Sequence, residues 1–166
     1  MKRVVLSLGS NLSERRVFIA KAASAVGEKV GRVLRSSSVR ESESWGFSSS
    51  PFLNQVLEVE TALTPEQVLL ATQQIERSLG RTEKSGRDEN GQPVYHDRTI
   101  DIDLLWFEGE SRCSDKLTLP HPHIAQREFI LVLLIELFDN QIVVPFKESF
   151  VRMLETLQNQ SEKNEL

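Results

Sequence analysis

The stretch Thr99-Ile100-Asp101-Ile102-Asp103-Leu104-Leu105-Trp106-Phe107 leaves a chain few ways to fold. Its β-branched and aromatic residues favour an extended backbone, on which side chains alternate between two faces. Asp101 and Asp103 then share one face, while Ile100, Ile102 and Leu104 fill the other. The apolar face needs a core. The acidic face offers two carboxylates roughly 7 Å apart. Such a pair repels and resists burial, so it needs solvent, a divalent metal or nearby arginines as compensation.

The flanking pattern supplies partners for that strand. Val4, Val5 and Leu6 read as a short buried strand, broken by Gly9-Ser10-Asn11. Ser13 can cap a helix in which Val17, Phe18, Ala22, Ala25 and Val26 recur until Gly27 and Gly31 end the pattern. Residues 30–40 form a second expected strand, and 41–51, with Trp45, Gly46 and Pro51, a loop. Between Phe52 and Glu60, Leu53, Gln55, Leu57 and Val59 alternate with Asn54, Val56 and Glu58, the periodicity of a third strand. Thr64-Pro65-Glu66-Gln67 is a capping-box helix start with proline at the first helical position, and Gly80 closes that helix. Residues 81–98 read as a long loop.

The resulting order of strand, helix, strand, strand, helix, strand matches a split βαβ, or ferredoxin-like, α+β fold with an antiparallel sheet. C-terminal helices are expected over Phe129–Phe138 and Phe150–Leu157, with a short extended piece over Ile142–Val144. A single domain over residues 1–157 and a frayed tail over 158–166 complete the expectation.

At 166 residues, with 27% charged and 39% hydrophobic residues, the composition is that of an ordinary globular chain. A net charge of -4 argues against a nucleic-acid partner. The apolar run after Lys2 and Arg3 is too short for a membrane span or a signal-peptide core, and Cys113, the only cysteine, excludes an internal disulfide. A cytoplasmic monomer is the expectation.

Cations flank the acidic pair. Arg98 immediately precedes it, and Arg81 and Lys84 stand at the other end of the long loop. Carboxylates that suit magnesium, together with arginines that hold phosphate oxygens, form a kit for phosphoryl transfer. No Walker-type glycine loop or kinase catalytic signature is present. His121 and His123 lack a third nitrogen or sulfur ligand at a fitting spacing, which leaves phosphate contact or a structural role ahead of zinc. Arg127 is a further phosphate-seeking cation or a plain surface arginine.

The run from Asp97 to Leu105 closely resembles the signature of the 6-hydroxymethyl-7,8-dihydropterin pyrophosphokinases. Gly9-Ser10-Asn11-Leu12, Phe52-Leu53-Asn54, Glu76 with Gly80-Arg81, and Leu117-Thr118-Leu119-Pro120-His121 through Arg127 and Phe129 follow the family's order, so the resemblance spans residues 3–145. It implies a ferredoxin-like fold and transfer of diphosphate from ATP to a hydroxymethyl pterin in folate synthesis, with release of AMP.

By the same resemblance, Asp101 and Asp103 hold two magnesium ions, and Arg81 and Arg98 join them as catalytic residues. Arg81, Arg98, His121 and Arg127 hold the triphosphate, with Gln73, Glu76, Ile102 and Thr118 on the nucleotide side. Phe52 and Phe129 resemble the aromatics that stack on the pterin, Asn54 the residue that bonds its polar edge, and Asp101 also faces the pterin. The chain departs from the family at Glu83, where many members carry an arginine, at Tyr95 and Pro122, and over Ser42–Trp45. Trp45 or Tyr95 is then left to close the site, over a loop that orders when nucleotide binds. Two rivals remain: a magnesium-dependent phosphohydrolase, which leaves the aromatics and Asn54 unused, and a non-catalytic ferredoxin-like binding module.

Overall fold

In the computed structural model the described residues are 1–11, 14–42, 51–80, 86–87, 93–94 and 100–164, the side chains of 86–87, 93–94 and 164 excepted. The main sheet joins β1 (Lys2–Ser10), β2 (Arg32–Ser36), β3 (Arg40–Ser42), β4 (Phe52–Thr61) and β7 (Asp101–Phe107). Its order is β2-β4-β1-β7, with β3 also on β4, and every pairing is antiparallel. Helices α1 (Arg15–Lys29) and α2 (Pro65–Ser78) are the two crossovers of the expected split βαβ unit. Short pairs β5 (Gly86–Arg87) with β6 (Pro93–Val94), and β8 (Arg112–Cys113) with β9 (Thr118–Leu119), lie outside that sheet. A 3-10 turn over Ile124–Gln126 leads into α3 (Glu128–Phe138), and α4 (Phe150–Asn164) follows.

Both faces of the sheet are covered. Leu6, Leu8, Leu57, Val59 and Leu104 pack with α1 and α2 through Ile19, Ala22, Val26, Val68 and Ile75. On the reverse face, Val5, Val56, Leu105 and Trp106 meet Ile130, Leu134 and Phe138 of α3 and Phe150 and Met153 of α4. Leu105 and Trp106 share this face because the register slips between Val5 and Leu6, so that Val5 opposes Trp106 and Leu6 opposes Leu104. Trp106 thereby joins Phe146 at a ring separation of 5.1 Å and Phe150 at 5.5 Å.

Local chemistry explains most boundaries. Thr64 Oγ1 accepts from Gln67 N at 3.2 Å and Gln67 Oε1 from Thr64 N at 2.9 Å, the capping box expected for α2. Such a cap is worth about 1 kcal/mol. Gly80, at φ +99°, follows the helix as expected.

Other boundaries differ from expectation. Gly27 lies inside α1, and the helix buries Ile19, Ala22 and Val26 while Val17 is exposed. Gly31 is required for close approach, since a Cβ there would lie 2.1 Å from the Glu60 carbonyl oxygen. The second strand is two pieces: at Ser37 the backbone N still donates to Val56 O at 2.9 Å, but the Val56 N–H goes to the Ser37 side-chain Oγ at 2.8 Å. Residues 142–144 form no strand. The chain expected to fray after Leu157 stays helical to Asn164; Ser149 Oγ caps the start at Arg152 N, and no glycine or proline follows Pro145. Among the described residues, no helix is long and apolar enough to cross a membrane.

Candidate active site

The site starts from a row of paired residues across four strands. Asp101 opposes Gly9, Gly9 opposes Asn54, and Asn54 opposes Arg40, so all four positions face the α3 side, three of them with a side chain. Asp103 opposes Ser7 one step along. Between the carboxylate and the carboxamide stands a residue without a side chain. A Cβ on Gly9 would lie 3.3 Å from Asn54 Oδ1 and 3.5 Å from Phe52 Cδ1, so glycine keeps this floor open.

Above that floor lies a cavity of about 370 Å³, large enough for a small heterocyclic ligand. Ser7, Gly9, Asn54, Asp101 and Asp103 form its base. Phe52 and Ser42 rise from β4 and β3, and His123, Gln126, Arg127 and Phe129 enter from the turn and the start of α3. Asn54 is 5% exposed; its Nδ2 donates to Ser42 Oγ at 2.6 Å, which fixes the carboxamide.

Charge is concentrated at one end. Arg127 Nη1 stands 3.6 Å from Asp103 Oδ2. His121 is held over the outer edge of β7 by its backbone N, which donates to Leu105 O at 2.7 Å. Its Nδ1 accepts from His123 N at 3.2 Å, which places the ring proton on Nε2. Burial, reinforced by Arg127 and His123 and opposed by Asp101, lowers the His121 pKa to about 4. The imidazole is therefore a neutral donor at neutral pH. His123 Nδ1 pairs with Gln126 Oε1 at 3.0 Å.

The structure gathers Phe52, Asn54, Asp101, Asp103, Arg127 and Phe129 around this one cavity. Glu76, Ile102, Gln73, Thr118 and His121 are not among its lining residues. Glu76, 7% exposed, reaches from α2 to accept the Ile102 backbone N at 2.9 Å, and the Ile102 side chain is 6% exposed in the core on the α1–α2 face. Gln73 is half-buried on α2, and Thr118 is exposed on β9. Trp45, Arg81, Arg98, Glu83 and Tyr95 lie outside the described residues. Ser7, Ser42 and Gln126 are not singled out by the sequence pattern, whereas His123, weighed there with His121 as a phosphate contact or structural residue, lines the cavity. Gln126 immediately precedes Arg127, and that proximity is its only signal in the sequence.

Asp101 and Asp103 are half-buried and adjoin open cavity space. Two hard oxygen donors beside room for water and phosphate oxygens fit Mg²⁺, which takes one or two carboxylates and fills its shell from solvent and substrate.

The profile of the 7,8-dihydro-6-hydroxymethylpterin-pyrophosphokinase family matches residues 5–139. The chain belongs to that family. It is 47% identical over 132 residues to a 2-amino-4-hydroxy-6-hydroxymethyldihydropteridine pyrophosphokinase of Porphyromonas gingivalis, covering 78% of this chain and 86% of the relative. The enzyme of the same name from Aquifex aeolicus is 35% identical over 143 residues, covering 86% and 84%. Among solved structures, the chain is similar in fold to a Plasmodium falciparum HPPK-DHPS, with a TM-score of 0.74 and 14% identity over 98% of this chain. It spans 46% of that longer protein. The ferredoxin-like α+β architecture of the pyrophosphokinase family is thus the fold of this chain.

Proposed function

We propose that this chain transfers the β,γ-diphosphate of ATP to the hydroxymethyl group of 6-hydroxymethyl-7,8-dihydropterin, a step of folate synthesis. A bond forms between the pterin oxygen and the β-phosphorus. The bond from that phosphorus to the α,β-bridging oxygen breaks, its electron pair leaves with AMP, and the hydroxyl proton passes to solvent. The observation that carries the reading is the row Asp101–Gly9–Asn54, which sets a carboxylate and a fixed carboxamide on either side of an open glycine floor.

In this reading Asp101 and Asp103 hold two Mg²⁺ ions, which when bound neutralise phosphate charge and acidify the pterin hydroxyl. Arg127 and the Nε2–H of His121 bind phosphate oxygens, joined by Arg81 and Arg98. Glu76, through its bond to Ile102 N, holds the strand that carries the aspartates, while Gln73, Ile102 and Thr118 lie toward the nucleotide. Phe52 and Phe129 offer ring faces to a flat heterocycle, Asn54 and Asp101 its polar partners, and Trp45 a further aromatic. Catalysis by such residues is positioning and charge neutralisation. The chain acts as a cytoplasmic monomer on small molecules.

Incubation with ATP, Mg²⁺ and the hydroxymethyl pterin tests the proposal by its nucleotide product. AMP that appears only when pterin is present supports it. ADP or free phosphate, formed with or without pterin, marks a phosphohydrolase instead.

A further inference from the structure

The cavity has two walls on separate elements. Phe52 and Asn54 stand on β4 and Ser42 on β3, whereas Arg127 and Phe129 arrive with the start of α3. Their separation depends on how α3 is seated, and the far end of α3 is tied back to the same strands. Glu136 Oε1 accepts the Ser38 backbone N at 2.8 Å, and its Oε2 accepts Ser38 Oγ at 2.7 Å and pairs with Arg40 Nε at 3.2 Å. Ser38 lies in the break between β2 and β3, so its N–H bonds to the helix rather than to a ladder partner.

From Arg40 the chain of contacts reaches the ligand side. Arg40 O accepts from Asn54 Nδ2 at 3.5 Å, and two residues on Ser42 Oγ accepts from the same nitrogen at 2.6 Å. A second tie lies beside the first. Arg35 pairs with the buried Glu58 at 3.1 Å, donates to the Leu137 carbonyl and lies 4.8 Å from the Phe138 ring centroid. Burial works against ionisation of Glu136, yet the Ser38 donors and Arg40 hold its carboxyl below the ordinary glutamate value.

We propose that Glu136 is a positioning residue for the pterin: by fixing α3 to the β2–β3 break it sets the gap between Phe129 and the Asn54–Ser42 edge. The inference rests on the transferase reading above. Displacement of a binding wall by about 1 Å can cost up to two orders of magnitude in catalysis, so loosening this tie is read directly in substrate kinetics.

The test compares steady-state kinetics of Glu136→Ala, Ser38→Ala and the double variant with wild type. Arg112→Ala is the control, since it breaks ion pairs to Glu66 and Glu110, which do not line the cavity. Glu136→Ala is expected to raise the pterin KM by about tenfold and leave the ATP KM within about twofold, with a smaller pterin effect in Ser38→Ala. The double variant should be no worse than Glu136→Ala, because both changes remove one connection, and Arg112→Ala should leave both KM values alone. An unchanged pterin KM in Glu136→Ala, equal rises in both KM values, or simple additivity overturns the proposal. Should Glu136→Ala not fold, a pterin KM in Ser38→Ala equal to wild type overturns it. Wild-type protein that releases no pterin-dependent AMP defeats the functional reading first and this inference with it.

Discussion

Arg127 Nη1 and Asp103 Oδ2 stand 3.6 Å apart across the mouth of the cavity, both side chains about one-third exposed (31% and 33%). Under the proposed transfer reaction, substrate phosphate and Mg²⁺ would compete with this pair for its guanidinium and its carboxylate. The pair is long and solvated, and such pairs contribute no more than about 1 kcal/mol to stability. Arg127→Ala should therefore melt within a few degrees of wild type while kcat/KM for ATP falls about 100-fold. Arg127→Lys should recover only part of that loss, because a lysine cannot present two parallel donors. Full recovery by lysine would reduce the role of Arg127 to bulk charge.

Asp101→Ala and Asp103→Ala should each lower turnover by at least about 10³-fold, given the scale of charge stabilisation in transfer sites. The fold should survive, since Ile102 and Leu104, on the opposite face of β7, carry the packing against α1 and α2. Circular dichroism and thermal melts alongside product assays check both halves. Near-normal turnover by both variants would remove the acidic pair from the mechanism.

Two glycines separate binding from stability. Gly9→Ala places a methyl 3.3 Å from Asn54 Oδ1 and 3.5 Å from Phe52 Cδ1, which those side chains can absorb by shifting. Pterin affinity should drop about tenfold while stability changes by less than about 1 kcal/mol. Gly31→Ala drives a methyl to 2.1 Å from backbone at Glu60 and should cost about 3 kcal/mol. Denaturant titration and pterin binding on the two variants give the contrast, and equal effects on both readouts would contradict it.

His121 supplies the pH prediction. Its folded pKa, about 4, lies below the ordinary histidine value of 6.5, so protons bind the unfolded chain more readily between those values. The stabilising contribution of the neutral ring is thus complete above the unfolded pKa and is lost as pH falls toward the folded one. Protonation also breaks the bond from His123 N to His121 Nδ1. Imidazole resonances followed by NMR should show titration near pH 4, moving upward when a polyphosphate binds. Titration near 6.5 in the free protein would contradict the burial account.

Much of this was legible in the residues. The alternation around Asp101 and Asp103 survived folding because it is local to one strand, and the capping box at Thr64 and Gln67 because it needs only four consecutive residues. Long-range choices were not legible. The slip opposite Val5 that turns Trp106 onto the α3 face, the exposed Arg35 that pairs with the buried Glu58, and the Ser37 side chain that accepts the Val56 N–H beside the break in the second strand all depend on partners distant in sequence. The same holds at the site. Asn54, Asp101 and Phe129 stood out by motif, whereas Ser42, His123 and Gln126 became neighbours of the cavity only when β3 paired with β4 and the turn before α3 docked.

In the proposed reaction the pterin hydroxyl attacks the β-phosphorus of ATP. ATP labelled with ³²P at that phosphorus, incubated with the protein, Mg²⁺ and 6-hydroxymethyl-7,8-dihydropterin, tests it directly. All transferred label is expected in the pterin diphosphate, with unlabelled AMP in equal amount. Label retained in ADP, with or without phosphate release, would contradict it.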